Sequence, residues 1–172
     1  MFAMQWQGYE RKRVEVEVKI PAGIQSGQQL RVPNKGERGT NGGPNGDLFI
    51  EIIVSRHEFF TREGRNIYIN IPISSVDATL GCTIEVPTVY GDVELTVPAG
   101  TQNNTQFRLK GKGVKSVRSG RKGDLYVTVN LEVPTNLNSK QKKAIKAMAE
   151  EVDTECYNKK KGFLDSLKEF FS

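Results

Sequence analysis

The chain has 172 residues, of which 37% are hydrophobic and 26% charged, with a formal net charge of +5. That composition suits one folded domain or two small ones and excludes a disordered chain, and no apolar run approaches the roughly 18 to 20 residues of a membrane helix. The charge divides into +2 from Asn138 onward, with eight Lys against six Asp or Glu, and +3 before it, so net charge is weak evidence for a nucleic-acid partner.

Period-two alternation dominates the first three quarters of the chain. Val14, Val16, Val18 and Ile20 alternate with Glu15, Glu17 and Lys19, which predicts a strand with one wet face. Leu48, Ile50, Ile52 and Val54 repeat the pattern, followed by Ile67, Ile69, Ile71 and Ile73. Val93, Leu95 and Val97 form the next run, and Leu125, Val127, Val129, Leu131 and Val133 the last. β-Branched residues suit a pleated surface better than a helix. Turn residues punctuate the runs at Pro21-Ala22-Gly23, Asn41-Gly42-Gly43-Pro44, Asn45-Gly46-Asp47, Tyr90-Gly91-Asp92 and Pro98-Ala99-Gly100. The body is therefore expected to be mainly β, built as sandwiches or small barrels.

The last 35 residues differ. Asn138 or Ser139 can cap a helix, with Gln141 completing a capping box, and Ala144, Ile145, Met148 and Val152 recur at helical spacing. A break is expected at Lys159-Lys160-Lys161-Gly162. Beyond it Phe163, Leu164, Leu167, Phe170 and Phe171 fall at i, i+1, i+4, i+7 and i+8, one apolar stripe on a short helix.

Sliding the sequence against itself by 77 residues aligns Val16–Val54 with Val93–Leu131, with 14 of 39 positions identical. The anchors are Val-Glu-x-x-x-Pro-Ala-Gly, Gln29-x-Arg31 with Gln106-x-Arg108, Lys35-Gly36 with Lys112-Gly113, and Gly46-Asp47-Leu48 with Gly123-Asp124-Leu125. Two copies make a duplicated domain, since a solenoid needs about three or more. The second copy is preceded by strand pattern from Asn66 to Gly91, the first only by Met1 to Arg13. The first copy is thus expected to lack its opening strands, or to replace them with a stretch such as Phe2 to Tyr9.

Several motifs in order carry a family resemblance. Val97–Gln102 reads Val-Pro-Ala-Gly-Thr-Gln, and Phe107–Val114 reads Phe-Arg-Leu-Lys-Gly-Lys-Gly-Val. To these add Gly123-Asp124-Leu125, the run Asn41–Leu48, His57-Glu58-Phe59-Phe60 with Arg62-Glu63-Gly64, and Ala78-Thr79-Leu80-Gly81. From about Val14 to Gln141 the chain resembles the C-terminal substrate-binding region of DnaJ-type J-domain co-chaperones, and the phenylalanine-rich end resembles the family's dimerisation segment. The resemblance implies two tandem β-sandwich or barrel-like domains, the first truncated, followed by a helical dimerisation segment. The corresponding boundaries are 1–58, 59–136 and 137–172. No His-Pro-Asp signature and no CxxCxGxG repeat occurs, so the chain reads as a truncated piece beginning just after the family's zinc module. Zinc is then expected only in that absent module, with no cofactor in this chain.

The same resemblance implies binding of exposed hydrophobic segments of unfolded polypeptides. Position by position, the family's peptide groove falls on Val16 and Ile50, with Val18 and Ile52 as extensions; the competing reading makes all four ordinary core. Phe163, Leu164, Leu167, Phe170 and Phe171 are the candidate dimerisation residues, a homodimer being set against packing of the helix on its own domain. Implied partners are non-native polypeptides and, through the longer protein, a DnaK-type chaperone, with no nucleic acid and no membrane. The implied compartment is intracellular, cytoplasmic or an organellar matrix.

Other chemistry finds little support. Cys82 and Cys156 are far apart and belong to no CxxC pair, and with the single His57 they cannot assemble an ordinary zinc site, so both read as reduced thiols. Gly111–Ser116 lacks the Gly-Lys-Ser/Thr order of a phosphate loop and reads as a turn. His57 has no nucleophile partner and marks a strand end before Phe59 and Phe60. Asp47 and Asp124 read as turn formers. Lys140, Lys142, Lys143, Lys146 and Lys159–Lys161 read as a solvated helix face or a contact for an acidic tail or nucleic acid. No enzyme is expected. The alternatives left standing are a purely structural or dimerisation module and a basic β-domain that binds nucleic acid.

Overall fold

A β-branched run becomes a strand only where a neighbour satisfies its backbone, and the two repeats differ in how many neighbours they have. The structure, a computed structural model, describes residues 15–39 and 42–171. It divides into a β-rich unit ending at Leu131 and a helical unit starting at Glu132. In the β-rich unit, β1 (Gln28–Val32) pairs antiparallel with β2 (Leu48–Ile52). Next come β3 (Thr61–Glu63), β4 (Asn66–Ser74), a short helix α1 (Ser75–Leu80), β5 (Cys82–Val86) and β6 (Val93–Val97). β7 (Thr105–Leu109) and β8 (Leu125–Glu132) complete the order. One sheet runs β3-β4-β8-β7, and β5 and β6 form an antiparallel hairpin of their own.

The core lies where these two layers meet. Ile67, Ile69 and Ile73 of β4, Ala78 of α1, Val86 of β5, Leu95 and Val97 of β6, and Leu125, Val127 and Val129 of β8 form one buried cluster. Along β8 alternate residues are sealed, while Tyr126 turns outward to stack on Tyr68 with ring centroids 5.1 Å apart. α1 begins because the Ser74 hydroxyl accepts from the Val76 and Asp77 N–H groups, and it stops at Gly81, whose φ of 82° suits glycine. The Pro-Ala-Gly turn of the second repeat docks there, Gly100 N–H donating to the Ala78 carbonyl at 2.9 Å.

The repeat is visible in the register. Gln28 to Val32 pair with Ile52 to Leu48 as Thr105 to Leu109 pair with Val129 to Leu125, each position offset by the same 77 residues. Both hairpins are closed by one clasp. Arg31 grips Asp47, and Arg108 grips Asp124 with Nε to Oδ2 at 2.7 Å. The other oxygen of each carboxylate accepts a backbone N–H, from Asn34 at 3.1 Å and from Gly111 at 2.8 Å. Both donors sit at positive φ, 58° and 70°. The next rung is also shared: Gly36 N–H donates to the Gly46 carbonyl and Gly113 N–H to the Gly123 carbonyl. A Cβ on Gly113 would stand 2.5 Å from the Arg65 carbonyl oxygen, so this Lys-Gly position admits no side chain. The shared Arg31, Gly36, Gly46 and Asp47 are thus the residues that make the clasp and its next rung.

Two expectations are corrected. Residues 15–20, the counterpart of β6, form no strand despite their alternation. β6 is held by β5, whose counterpart at residues 5–9 lies outside the described residues, as does the Phe2–Tyr9 stretch expected to replace the opening strands. In the helical unit, α2 (Ser139–Glu151) starts with the expected Asn138–Gln141 capping box. The break, however, comes at Val152–Tyr157, around a single 3-10 turn at Thr154–Cys156, and α3 (Asn158–Phe170) runs straight through the lysines and Gly162. Lysine is a good helix former and one interior glycine costs only about 1 kcal/mol, too little to stop a helix. Lys161 instead pairs with Glu155 across the turn.

Two outcomes are expected. Leu125→Ala removes a sealed side chain and should cost about 2–5 kcal/mol, whereas Leu48→Ala, at the matching half-buried position, should cost less than about half as much; urea midpoints compare them. Asp47 and Asp124 are held below the usual aspartate range, first by the Asn34 and Gly111 N–H groups and then by Arg31 and Arg108. A lowered folded pKa means the contribution is present above the ordinary value of about 3.9 and lost as pH falls through the folded value. Asp124→Asn should lower the urea midpoint at pH 7 and flatten its decline below about pH 4 relative to wild type.

Candidate functional site

The offset that relates the repeats also relates a closed core to an open face. Leu95, Val97, Leu125, Val127 and Val129 are all buried, the last three completely. Their counterparts in the first repeat are Val18, Ile20, Leu48, Ile50 and Ile52. None of these is buried; Ile20 is 57% exposed and the others are half-buried. Among the described residues of the first repeat only Ile24 is buried. The cause is coverage. β8 has β4 on one side and β7 on the other, whereas β2 has β1 as its one strand neighbour among the described residues.

Of the sequence-derived groove residues, Ile50 and Ile52 fall on this face. Ile50 and Ile52 lie on the half-buried side of β2, alternating with exposed Phe49 and Glu51, and Ile50 stands opposite Leu30 of β1. Val16 and Val18 are half-buried in the extended segment that leads to Pro21. Just beyond β2, Ile53 and Val54 are exposed as well.

The second candidate surface belongs to the helical unit. Neither α2 nor α3 contains a buried residue. Phe163, Leu164, Leu167, Phe170 and Phe171 are all exposed, Phe170 at 83%, and the last two rings meet edge to face at 5.4 Å. Ile145 and Met148 of α2 are exposed too.

The remaining side chains with chemical potential act locally. His57 Nδ1 accepts the Phe59 and Phe60 N–H groups, at 3.1 and 3.3 Å, and its ring leans on Phe60, which fits a turn before β3. Cys82 and Cys156 are free thiols. Among the described residues no three His, Cys, Asp or Glu groups come together as a metal site, and no helix is long and apolar enough to cross a membrane.

Two features escaped the sequence reading. The first is Arg62, which pins the repeats together: Nη1 donates to the Ile24 carbonyl, Nη2 to Gly23 and Nε to Gly64, at 2.7, 2.7 and 2.9 Å. Nothing in its sequence setting marks it for that task. The second was legible but hidden by averaging charge over halves of the chain. Lys110, Lys112, Lys115, Arg118, Arg121 and Lys122 put six cations in thirteen residues with no acid among them.

Comparison with known proteins bears on all of this. Residues 3–134 match the family model described as the DnaJ C terminal domain. A chaperone protein DnaJ from Erysipelothrix rhusiopathiae is 65% identical over 144 residues, 84% of this chain and 39% of that protein. Chaperone proteins DnaJ from Streptococcus pneumoniae strain R6 and Streptococcus uberis are 49% and 51% identical, over 95% and 94% of this chain and 44% and 43% of theirs. The chain spans about two fifths of the length of these relatives. With its doubled hairpin, its Arg–Asp clasps and its Gly-Asp-Leu turns, the chain belongs to the DnaJ C-terminal domain family.

Proposed function

We propose that this chain holds exposed hydrophobic segments of unfolded polypeptides on the open face of its first repeat and joins a second copy through the stripe on α3. The observation that carries the first part is the mismatch between equivalent positions: Leu125, Val127 and Val129 are sealed while Leu48, Ile50 and Ile52 are not. An apolar side chain gains roughly 1.5 to 3 kcal/mol on going from exposed to fully buried, so covering this face is favourable for whatever covers it. An extended client segment beside β2, placed as β4 is beside β8, would add backbone hydrogen bonds that do not depend on its sequence. Val16, Val18, Ile50 and Ile52 are its side-chain contacts in this reading. Tolerance of many sequences is what a chaperone domain requires.

The stripe of Phe163, Leu164, Leu167, Phe170 and Phe171 supports the dimer, since one self-complementary apolar face closes most simply about a two-fold axis. Two modest sites on one dimer gain avidity for a long client that can span them. The division into 1–58, 59–136 and 137–172 assigns client binding, scaffold and dimerisation in that order. In the longer protein the clients would be delivered to a DnaK-type chaperone inside the cell, without catalysis or a cofactor in this portion.

A paired experiment separates the roles. A fluorescent hydrophobic peptide should bind the wild-type chain at micromolar levels, and Ile50→Asp should weaken it about tenfold or more while sedimentation still reports a dimer. Leu167→Asp should give a monomer that binds the peptide with unchanged single-site affinity. Undiminished binding by a folded Ile50→Asp chain contradicts the open-face site. A monomeric wild type contradicts the dimer, and a dimer that binds no peptide leaves a purely structural module.

A further inference from the structure

Between the repeats lies a cleft of about 310 Å³ with contributions from both. Gln25 and Gln28 come from the first repeat, Arg62 from β3, Arg65 from the turn between β3 and β4, and Ser116 and Arg118 from the loop between β7 and β8. No Asp or Glu lines it. Elsewhere in this unit arginines at the clasps are neutralised, Arg31 by Asp47 and Arg108 by Asp124. Here, among the described residues, Arg62 meets only backbone carbonyls, which fix its guanidinium without cancelling its charge. Those bonds use three of its five N–H donors. The Arg65 and Arg118 side chains make no ion pair or hydrogen bond among the described residues.

The loop that carries Arg118 is folded. Lys115 and Lys122 form a bridge, and Ser116 N–H donates to the Arg121 carbonyl at 2.9 Å. It belongs to the acid-free run of six cations from Lys110 to Lys122, which extends the positive potential of the cleft over the surrounding surface. The walls are held in register by Arg62 and by the tight approach of Gly23 to the Lys115 carbonyl, where a side chain would not fit. The guanidinium groups of Arg65 and Arg118 have their forks open beside the fixed charge of Arg62, and such a planar fork matches a carboxylate through two parallel hydrogen bonds.

We propose that this cleft is a docking site for an acidic peptide segment of a partner protein, distinct from the apolar face that takes unfolded clients. Arg65 and Arg118 supply the forks, fixed Arg62 the background charge, and Gln25, Gln28 and Ser116 hydrogen bonds to the peptide backbone. The chemistry favours a peptide over a nucleic acid. The cleft admits a few side chains, and no aromatic residue lines it to stack a base.

The test titrates the full 172-residue chain into a rhodamine-labelled peptide of alternating aspartate and glutamate, read by anisotropy at low salt, with a glutamine peptide and single-stranded oligothymidine as competitors. Arg65→Gln with Arg118→Gln should weaken the acidic peptide about tenfold or more. Lys140→Gln with Lys142→Gln, which removes the same charge from α2, should change it less than about twofold. Circular dichroism confirms that both variants are folded. The proposal is overturned if wild type shows no binding at millimolar peptide, or if the two variants lose affinity equally, which would be attraction to net charge alone. It is also overturned if oligothymidine displaces the peptide and depends on the same two arginines, which would make the cleft a nucleic-acid site.

Discussion

An apolar sheet face has to be covered, and among the described residues one copy of a duplicated unit has its cover while the other does not. In the second repeat the β5–β6 hairpin and α1 lie over the inward residues of β4 and β8, and the result is the buried cluster of the molecule. In the first repeat the same sequence positions carry the same kinds of side chain and stay half in water. Burial of apolar area is the dominant favourable term in folding and in association alike. In the proposed function, the surface that is finished inside the second repeat is the one offered for binding in the first.

The two copies nevertheless agree where agreement is enforced. Gly36 and Gly113, Asp47 and Asp124, and Arg31 and Arg108 are identical because each clasp needs an approach that a Cβ would block, a carboxylate with two tasks and a guanidinium to share it. Core positions changed freely between Val, Ile and Leu, since volume and shape constrain them more loosely than backbone geometry constrains glycine. Arg62 then joins the copies through carbonyl groups alone, which leaves a fixed positive charge at the junction.

Much of this could be read from residues, and the failures have physical causes. The alternation Leu125–Leu131 is a strand as expected, because β4 and β7 flank it. The equally clear alternation Val16–Ile20 is not, because alternation reports which side faces the core and says nothing of whether a partner strand is present. Asp47 and Asp124 were legible as turn makers from the Gly-Asp pair, but the arginine partners sixteen residues earlier were not, since only the fold brings them together. The α3 start was misplaced to Phe163 by giving weight to one glycine, when the capping and the break lie at Asp153 to Tyr157. Val16, Val18, Ile50 and Ile52 came from family resemblance; burial adds that all four are half in water, while Val127 and Val129, the equivalents of Ile50 and Ile52, are sealed.

Hydrogen–deuterium exchange of the free chain and of the chain saturated with a denatured client bears most directly on that contrast. Amides of β2, Leu48–Ile52, should exchange readily in the free chain and slow markedly with client, while those of β8, Leu125–Glu132, should be slow in both. Protection that leaves Leu48–Ile52 unchanged, or that appears in α2 and α3 alone, would contradict the open face of the first repeat as the place where clients are held.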